Sequence, residues 1–310
     1  MVKTGLKPKH FLTIDAITPT ELQELLDSAV ALKASGLGTV LKNKTAALVF
    51  EKPSLRTRVS FELAVRQLGG QTIYLSPEEV GLGKRESIPD VTRVLSRFVD
   101  LIILRTFSQH NLEVMAEYSA VPVVNALSDY EHPCQALADL MTIYEHKGKL
   151  KWLTVGYVGD GNNVANSLML ACAMAGINFH IASPKGYTID PAVLKKANTF
   201  AKTSGATIVA TEDPKVAAKD ADVIYTDTWT SMGQEAEAAV RRKVFAEYQI
   251  NDKLMALAKR NAIIMHCLPA HHGEEVAVGI LDGPQSVVFD QAENRLHAQK
   301  ALLVWLFAKK

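Results

Sequence analysis

The 310-residue sequence lacks most of the features that mark secreted, membrane-embedded or metal-binding proteins. Its three cysteines, Cys134, Cys172 and Cys267, are far apart and lack metal-ligand spacing, so we expect free thiols in a reducing compartment. No apolar run approaches the roughly 20 residues that a membrane span requires. The first five residues resemble neither a signal peptide nor a transit segment. These absences predict a cytoplasmic protein that does not associate with membranes.

The sequence also lacks an excess of charge of either sign. Thirty-four Lys and Arg residues balance 33 Asp and Glu residues, which leaves a formal net charge of +1. A broad basic surface for nucleic acid or acidic lipid is therefore not expected. The hydrophobic content of 48% and the charged content of 22% are typical of a globular protein, and the length suggests two domains. Any Lys and Arg residues that bind an anionic ligand must therefore be clustered at one place in the structure.

Strands and helices alternate along the chain in two series, separated near Lys147-Gly148-Lys149-Leu150. This alternation predicts an α/β protein with two doubly wound parallel-sheet domains and helices on both faces. A last helix is predicted from about Ala292, and its apolar residues require a core to pack on. The predicted strands are 45–50, 72–75, 101–104 and 121–124 in the first series, and 154–158, 177–182, 206–210, 222–226, 262–266 and 286–289 in the second.

The most informative motif is Ser54-Leu55-Arg56-Thr57-Arg58, which stands between a predicted strand and a predicted helix. Free N–H groups at a helix N-terminus, two hydroxyls and two guanidiniums together favour a bound phosphoryl group. The alternative is a capped helix whose arginines form surface salt bridges.

Two further candidates follow later strands of the first series. Arg105 ends the third predicted strand, and His132-Pro133-Cys134-Gln135 opens a helix after the fourth. A histidine at a helix N-terminus is biased toward the neutral imidazole, which can donate a hydrogen bond to a carbonyl group. Gln135 adds an amide one turn on. The alternative is a capping or core histidine.

The glycine-rich segment Gly156–Asn163 invites a nucleotide-binding interpretation, which we disfavour. Its spacing is Gly-x-x-Gly-x-Gly, and no acid for a ribose hydroxyl follows the next strand. A dinucleotide-dependent dehydrogenase is thus a weak alternative. We expect instead that the glycines let Asn163 face a small ligand at a helix start.

The second series contains two further candidate motifs, of which the first suits an amino acid. Asp227 ends a strand and precedes the loop Ser231-Met232-Gly233, so a carboxylate for an ammonium stands close to donors for a carboxylate. In His266-Cys267-Leu268-Pro269, the thiol and the Leu268 carbonyl are expected to point toward the ligand. Neighbouring strand residues face opposite sides, which disfavours activation of the thiol by His266. Zinc is disfavoured because no second cysteine stands at ligand spacing.

Together with Ala292-Glu293-Asn294-Arg295, these motifs resemble the aspartate/ornithine carbamoyltransferase family from about residue 10 to the C-terminus. The Ser-Met-Gly loop and the His-Cys-Leu-Pro motif resemble its ornithine-specific members. The resemblance implies transfer of the carbamoyl group of carbamoyl phosphate to the δ-amino group of L-ornithine, which gives L-citrulline and phosphate. It implies no metal, no organic cofactor, and a homotrimer or a multiple of trimers.

The resemblance also implies domains and residue roles. Residues 1–147 with 291–310 would form the carbamoyl phosphate-binding domain, to which the last helix returns, and 148–290 would form the ornithine-binding domain. The catalytic residues would be Arg105, His132, Asp227 and Cys267. Carbamoyl phosphate would be bound by Ser54, Leu55, Arg56, Thr57, Arg105, His132, Gln135, Cys267, Leu268 and Arg295. Ornithine would be bound by Asn163, Asp227, Ser231 and Met232.

Three positions depart from the family pattern, namely Leu55, Gly81 and His272, the last of which stands where Arg is frequent. Two other functions stay open. Leu55 replaces a common Thr, and Gly81 replaces a polar residue that reaches a neighbouring subunit's phosphate site, for which Lys84 and Arg85 are candidate substitutes. One alternative is a carbamoyltransferase for putrescine, an N-acylated ornithine or aspartate. The other is a noncatalytic amino-acid-binding regulator, which would be expected to lose the arginines and the histidine.

Overall fold

The computed structural model describes residues 8–231 and 233–307, and the chain divides into two compact units. The first unit runs to Cys134 and resumes at Arg295, and the second comprises Gln135–Asn294. Each unit contains one parallel sheet, which confirms the predicted α/β class with two sheets. These units are defined by packing alone, so the functional domain boundaries given above stay a prediction.

The first unit is built on four strands. It begins with a 3₁₀ turn at Ile14–Ala16. Its elements are α1 (Pro19–Ser35), β1 (Thr45–Phe50), α2 (Leu55–Gln67), β2 (Gln71–Leu75), α3 (Pro77–Val80), α4 (Ile88–Phe98), β3 (Leu101–Arg105), α5 (Gln109–Tyr118) and β4 (Val123–Leu127). Helix α6 (Pro133–Lys147) follows and leads into the second unit.

The second unit is built on five strands. Its elements are β5 (Thr154–Val158), α7 (Asn163–Ala175), β6 (Asn178–Ala182), α8 (Pro191–Ser204), β7 (Ile208–Thr211), α9 (Pro214–Ala218), β8 (Val223–Thr226), α10 (Ala238–Val244), α11 (Asp252–Met255), β9 (Ile263–His266) and α12 (Val288–Phe307). Short 3₁₀ turns lie at Glu235–Glu237, Ala246–Tyr248 and Ile280–Asp282.

Strand order explains where ligand-binding residues can gather. The sheets have the orders β2-β1-β3-β4 and β7-β6-β5-β8-β9 with parallel neighbours throughout. Each sheet therefore reverses its direction of growth once, between β1 and β3 and between β5 and β8. Right-handed crossovers on the two sides of such a reversal place helices on opposite faces. Ligands of open α/β sheets bind beside this reversal, at the carboxyl ends of the strands.

Helix starts follow from local sequence. The sequence Thr18-Pro19-Thr20-Glu21 predicts a capping box at the start of α1. The structure contains it, because the Thr18 hydroxyl accepts from the backbone N–H of Glu21 and the Glu21 carboxylate accepts from the backbone N–H of Thr18. Asp190 and Asp213 cap α8 and α9, each with proline at the first helical position. These short-range contacts need no tertiary partner, so the sequence alone predicts them.

Each unit buries its own apolar cluster against its sheet. In the first unit the cluster includes Val49 and Ile102 from the central strands, and in the second it includes Ile224, Phe245 and Ile264. Continuous burial along β1, β3, β5 and β8 fits strands that are covered on both faces. This packing makes the strand ends rigid supports for the residues that follow them.

Two glycines, Gly156 within β5 and Gly161 in the turn after it, allow close packing of the backbone. A Cβ on Gly156 would clash with the Ala217 carbonyl, and a Cβ on Gly161 would clash with the backbone of Thr188 and Ile189. The Gly161 N–H donates to the Tyr187 carbonyl at 2.8 Å. A dinucleotide fingerprint needs this turn open to a pyrophosphate, so the close approach of the Tyr187–Ile189 backbone argues against dinucleotide binding here.

The predicted strand at 286–289 is wrong. Only Ser286 forms a bridge, to Ile264, and the chain enters α12 at Val288 instead of near Ala292. Val288 is buried in the core and Phe289 is exposed, and both belong to the first turn of α12. A short apolar run fits either a strand or a buried helix turn, and periodicity cannot separate the two.

The end of α12 belongs to the first unit, as the resemblance implied for the last helix. The Lys300 ammonium, in a fully buried residue, donates to the carbonyls of Leu32 (3.0 Å) and Gly36 (2.9 Å) at the C-terminus of α1. A cation at this end of a helix offsets its unpaired carbonyls and its dipole. Within the described part of the chain, no helix combines the length and apolarity needed to cross a bilayer.

Candidate active site

The phosphate motif forms the start of α2, directly after β1. Ser54 is the N-cap residue, and its hydroxyl accepts from the Thr57 N–H at 3.4 Å. The remaining N–H groups of the first turn have no partner within the helix. Arg56 is half-buried in this turn, whereas Leu55 is 76% exposed, so only the backbone of Leu55 is suited to anion binding.

Thr57 brings together two arginines that are distant in sequence. Its hydroxyl accepts from Nη1 of Arg105 at 3.4 Å and from Nη2 of Arg295 at 3.2 Å. All three side chains are buried, and Arg105 is the last residue of β3, paired in register with Phe50 of β1. Two guanidiniums fixed beside a helix N-terminus form a strongly anion-attracting site.

Arg58 does not join this group. Its guanidinium pairs with Glu62 at 3.0 Å and lies 3.8 Å from the centre of the Tyr74 ring. The expectation that both arginines of the motif face the phosphate site is therefore wrong for Arg58. This residue forms a surface salt bridge instead, which was the alternative interpretation. The i,i+4 spacing to Glu62 explains the difference, since such pairs face each other on a helix.

His132 lies within the same positive field. It precedes α6 and is buried, and burial together with the charges of Arg295, Arg105 and Lys52 holds its pKa well below the usual value. The imidazole is therefore neutral at physiological pH, and burial is the largest cause of the lowered pKa. A neutral imidazole can donate to a carbonyl oxygen without repelling a cation.

Lys52 is a member of this group that the sequence argument missed. It follows β1, is buried, and lies 4.6 Å from the Phe107 ring centre. Burial and the nearby Arg105 lower its pKa to about 8, against the opposing effects of Asp129 and Glu51. Its position two residues after the strand, beside Ser54, was the available signal.

In the second unit, Asp227 and Cys267 meet across neighbouring strands. Thr226 pairs with His266 in register, so the residues that follow β8 and β9 lie side by side. The Cys267 thiol donates to Oδ1 of Asp227 at 3.0 Å, and Asn162 Nδ2 donates to Oδ2 at 2.8 Å. The carboxylate is buried and lies beside the β5/β8 reversal. These contacts fix a single anion where a ligand ammonium is expected.

Asn162 takes a positioning role that the sequence argument did not give it. Its side-chain oxygen caps α7 by accepting from the N–H groups of Val164 and Ala165 at 3.0 and 3.2 Å, which turns its amide nitrogen toward Asp227. Asn163, the predicted ligand residue, is the first residue of α7 and is half-buried.

The loop after Asp227 is held by a buried ion pair. Nη1 of Arg241 donates to Asp160 at 2.7 Å and to the Trp229 carbonyl at 2.9 Å, which joins the turns after β5 and β8. Ser231 is half-buried, and its N–H donates to Gln234 at 3.1 Å. Met232, the other residue predicted in this loop, lies outside the described residues.

His266 is engaged away from the thiol, as predicted. Its Nδ1 accepts from the Leu268 N–H at 2.9 Å, and its Nε2 lies 3.2 Å from the buried carboxylate of Glu275. Leu268 has a φ of +55°, so its backbone is turned sharply after the thiol. Ligand atoms of Asp227, His266 and Cys267 lie within 4.8 Å of one another. The existing hydrogen bonds account for this cluster, and the absence of a metal stays a prediction.

Comparison with known proteins agrees with this geometry. The family model "Aspartate/ornithine carbamoyltransferase, carbamoyl-P binding domain" matches residues 9–145, and the model "Aspartate/ornithine carbamoyltransferase, Asp/Orn binding domain" matches residues 151–306. A protein named ornithine carbamoyltransferase from Anoxybacillus flavithermus is 54% identical over 305 residues, which cover 97% of both chains.

Solved structures give the same result. Ornithine carbamoyltransferase from Pyrococcus furiosus is 50% identical with a TM-score of 0.92 and covers 97% of each chain. A structure of N-acetyl-L-ornithine transcarbamylase is 32% identical with a TM-score of 0.87 and covers 96% of this chain and 99% of that chain. The chain therefore belongs to the aspartate/ornithine carbamoyltransferase family.

Proposed function

We propose that this protein transfers the carbamoyl group of carbamoyl phosphate to the δ-amino group of L-ornithine, giving L-citrulline and phosphate. The observation that carries the proposal is the Thr57 hydroxyl held between the buried guanidiniums of Arg105 and Arg295. A site with this charge suits a phosphate dianion. The Asp227 anion in the second unit suits an ammonium, and the names of the relatives support ornithine as the acceptor.

Carbamoyl phosphate is assigned to the first group of residues. The first turn of α2, with Ser54, Leu55, Arg56 and Thr57, and the side chains of Arg105 and Arg295 would grip the phosphate. His132 and Arg105 would stabilise the carbonyl oxygen as negative charge develops on it. Gln135, Cys267 and the Leu268 carbonyl would complete the carbamoyl site.

Ornithine is assigned to the second group. Asp227, fixed by Asn162 and Cys267, would bind an ammonium, while Ser231 and Asn163 would face the amino-acid end. Met232 is assigned by resemblance alone. On this division, residues 1–147 with 291–310 bind carbamoyl phosphate and residues 148–290 bind ornithine, and no cofactor or metal takes part.

The chemical step requires a neutral amine. The δ-nitrogen lone pair forms a bond to the carbamoyl carbon, the carbon–oxygen bond to phosphate breaks, and the nitrogen proton is taken up by the departing phosphate, which leaves as hydrogen phosphate. An alkyl ammonium of pKa about 10.4 must first be deprotonated, which costs roughly 4 to 5 kcal/mol at pH 7. Positioning and preorganised charge supply the remaining acceleration, because the leaving phosphate is already held by arginines.

This requirement predicts the pH profile. We expect kcat/KM for ornithine to rise from pH 6 to pH 8.5, because each pH unit gives about ten times more neutral amine below its pKa. The lowered pKa of His132 means that this residue adds no step near its ordinary value. Initial rates at saturating carbamoyl phosphate would measure the profile, and a flat profile would contradict the deprotonation argument.

Lys52 predicts a second pH effect, on carbamoyl phosphate. With a pKa of about 8, the Lys52 side chain is positively charged below pH 8 and loses this charge above it. We expect KM for carbamoyl phosphate to rise between pH 8 and pH 9.5, as one attractive charge disappears. In Lys52→Met, KM should already be raised at pH 7 and this rise should be absent.

The matched control for Lys52 is Lys44→Met. Lys44 precedes β1, whereas Lys52 follows it, and Lys44 pairs with Asp100 at 3.5 Å. The Lys44→Met enzyme should show the same pH dependence of KM for carbamoyl phosphate as the wild type. A Lys52→Met enzyme that keeps the wild-type rise would show that another group titrates.

The reaction itself is tested with purified protein, carbamoyl phosphate and one of four acceptors: ornithine, putrescine, N-acetylornithine or aspartate. Colorimetric detection of the ureido product should give citrulline from ornithine alone. Product only from another acceptor would keep the phosphate site and overturn the assignment of Asp227. No product from any acceptor would favour the noncatalytic amino-acid-binding regulator.

The same proposal includes a homotrimer, or a multiple of it, in the cytoplasm. Leu55, Val59 and Leu63 form an exposed apolar stripe on α2, at the i, i+4 and i+8 spacing of one helix face. Lys84 and Arg85 are exposed and available to a neighbouring subunit. The three cysteines carry free thiols, which suits a reducing compartment. Sedimentation equilibrium would test the trimer.

A further inference from the structure

The buried carboxylate of Asp139 lies one turn after Gln135 on α6 and is fully enclosed. Gln135 Nε2 donates to its Oδ1 at 2.8 Å, and Gln291 Nε2 donates to the same oxygen at 2.7 Å. The Tyr225 hydroxyl donates to Oδ2 at 3.1 Å. Of the four residues in this cluster, only Gln135 has a proposed contact with the substrate, so the roles assigned above leave Asp139, Tyr225 and Gln291 unexplained.

This arrangement constrains the chemical polarity of the Gln135 amide. An ionised carboxylate can only accept hydrogen bonds. The NH₂ edge of Gln135 must therefore face Asp139, and its carbonyl oxygen must occupy the opposite edge. The reverse orientation would place two acceptors in contact inside a buried site, where unpaired polar groups are costly.

The opposite edge is the one that carbamoyl phosphate needs. Its carbamoyl NH₂ group has two N–H donors, so recognition of that group requires an acceptor. An amide NH₂ edge in the same place would instead repel it. The orientation of one side chain thus distinguishes a carbamoyl group from an acetyl group, in which a methyl replaces the NH₂.

We infer that Asp139 is a positioning residue that locks the Gln135 amide with its carbonyl oxygen toward the carbamoyl NH₂ of the substrate, and so sets selectivity for carbamoyl over acyl phosphates. The inference rests on the proposed function. Gln291 extends the lock, because its Oε1 accepts from the His266 N–H at 2.9 Å, directly before Cys267. One buried anion therefore holds Gln135 and the start of the Cys267 turn in fixed orientations.

The test compares two phosphates of almost the same shape. KM is measured for carbamoyl phosphate, and Ki is measured for acetyl phosphate as a competitive inhibitor. Asp139→Leu removes the acceptor at similar volume, so the Gln135 amide is no longer locked. We expect the ratio of Ki to KM to fall about tenfold, the effect of losing one well-oriented hydrogen bond.

A conservative variant should restore the ratio. In Asp139→Asn, the side-chain oxygen can still accept from Gln135 and Gln291, and its NH₂ can donate to the Tyr225 hydroxyl. This variant should therefore keep the wild-type ratio. Thr142→Val is the control for general damage to α6. Thr142 is fully buried one turn on, and its hydroxyl donates to the Ala138 carbonyl at 2.8 Å and accepts from Asn294 Nδ2 at 2.9 Å, so neither partner is Gln135 or Asp139. Thr142→Val should lower stability and leave the ratio unchanged.

Each outcome is informative. A ratio that stays at the wild-type value in a folded Asp139→Leu enzyme would show that Asp139 is only structural. If wild-type protein makes no citrulline, the proposed function fails instead, so the two failures are distinguishable.

A second measurement avoids dependence on the folding of Asp139→Leu. Wild-type protein is labelled with ¹⁵N at glutamine side chains, and the Gln135 signals are identified by their loss in Gln135→Met. The Gln135 NH₂ should be protected from exchange before phosphonoacetamide is added, and should remain so afterwards. Loss of protection on binding would mean that the NH₂ edge turns to the ligand, which would overturn the inference.

Discussion

Arg105→Met should lower kcat/KM for carbamoyl phosphate by about 10³-fold or more, the largest effect expected from a single change in the first unit. The guanidinium is buried beside Thr57 and cannot be replaced by water without loss of fixed charge. It would serve both the phosphate and the carbonyl oxygen, so binding and the chemical step should both suffer. Steady-state rates with carbamoyl phosphate varied at saturating ornithine would measure the loss.

The substitution has an electrostatic side effect with a definite sign. The Arg105 charge lowers the pKa values of both His132 and Lys52, so its removal raises both. Lys52 then keeps its proton to higher pH, and the rise in KM for carbamoyl phosphate should move upward from pH 8. Added guanidinium ion should recover part of the activity if the lost group acts through its charge and its hydrogen bonds.

Arg58→Met is the matched control for Arg105→Met. Arg58 is exposed, pairs with Glu62, and lies in the same helix turn as Thr57. Its loss removes one surface pair, which is worth little. A large effect of Arg58→Met, or a KM for carbamoyl phosphate that stays within threefold of wild type in Arg105→Met, would show that the phosphate assignment is wrong.

The sequence predicted the parts of the fold that depend on local chemistry. The capping box at Thr18 and the Asp-Pro helix starts at 190 and 213 require only neighbours within four residues. The central strands were also predictable, because burial on both faces gives continuous apolar runs. The run at 286–289 failed because its apolar residues enter a helix after one bridge, and only the tertiary structure decides between those outcomes.

The candidate site was predictable where a motif sits at a strand end, as at Arg105, Asp227 and Cys267. It was not predictable where a side chain acts through a partner that is distant in sequence. Asn162 was passed over for Asn163 because the contact with Asp227 spans 65 positions. Gln291 reaches Asp139 across 152 positions, and no periodicity records such a pair. Lys52 was missed because its lowered pKa depends on burial that the sequence does not reveal.

Asp227→Asn should lower kcat/KM for ornithine by about 10³-fold and leave carbamoyl phosphate binding close to that of the wild type. The substitution removes a buried negative charge but keeps the shape of the side chain. Its oxygen can still accept from Asn162, and its NH₂ can face the Cys267 sulfur, so the local fold should persist. Without the charge, an ammonium loses its fixed counter-ion in a site of low dielectric. Steady-state kinetics with ornithine varied, and a binding titration with carbamoyl phosphate alone, would show whether only ornithine use is impaired.

Strand β8 supplies a control that distinguishes a carboxylate needed for ornithine binding from a carboxylate needed for stability. Asp222 precedes β8 as Asp227 follows it, is equally buried, and accepts from the Thr154 N–H at 2.9 Å and from Lys259 at 2.8 Å. Asp222→Asn should lower the free energy of unfolding, since it weakens the pairing of a buried carboxylate with the exposed Lys259 and with the Thr154 N–H, yet leave ornithine kinetics unchanged. If both variants impair ornithine use equally, the loss reflects the stability of β8, and Asp227 is not the ammonium-binding residue. If only Asp227→Asn does, the ammonium site lies at the carboxyl end of the strand, where the sheet reversal predicts it.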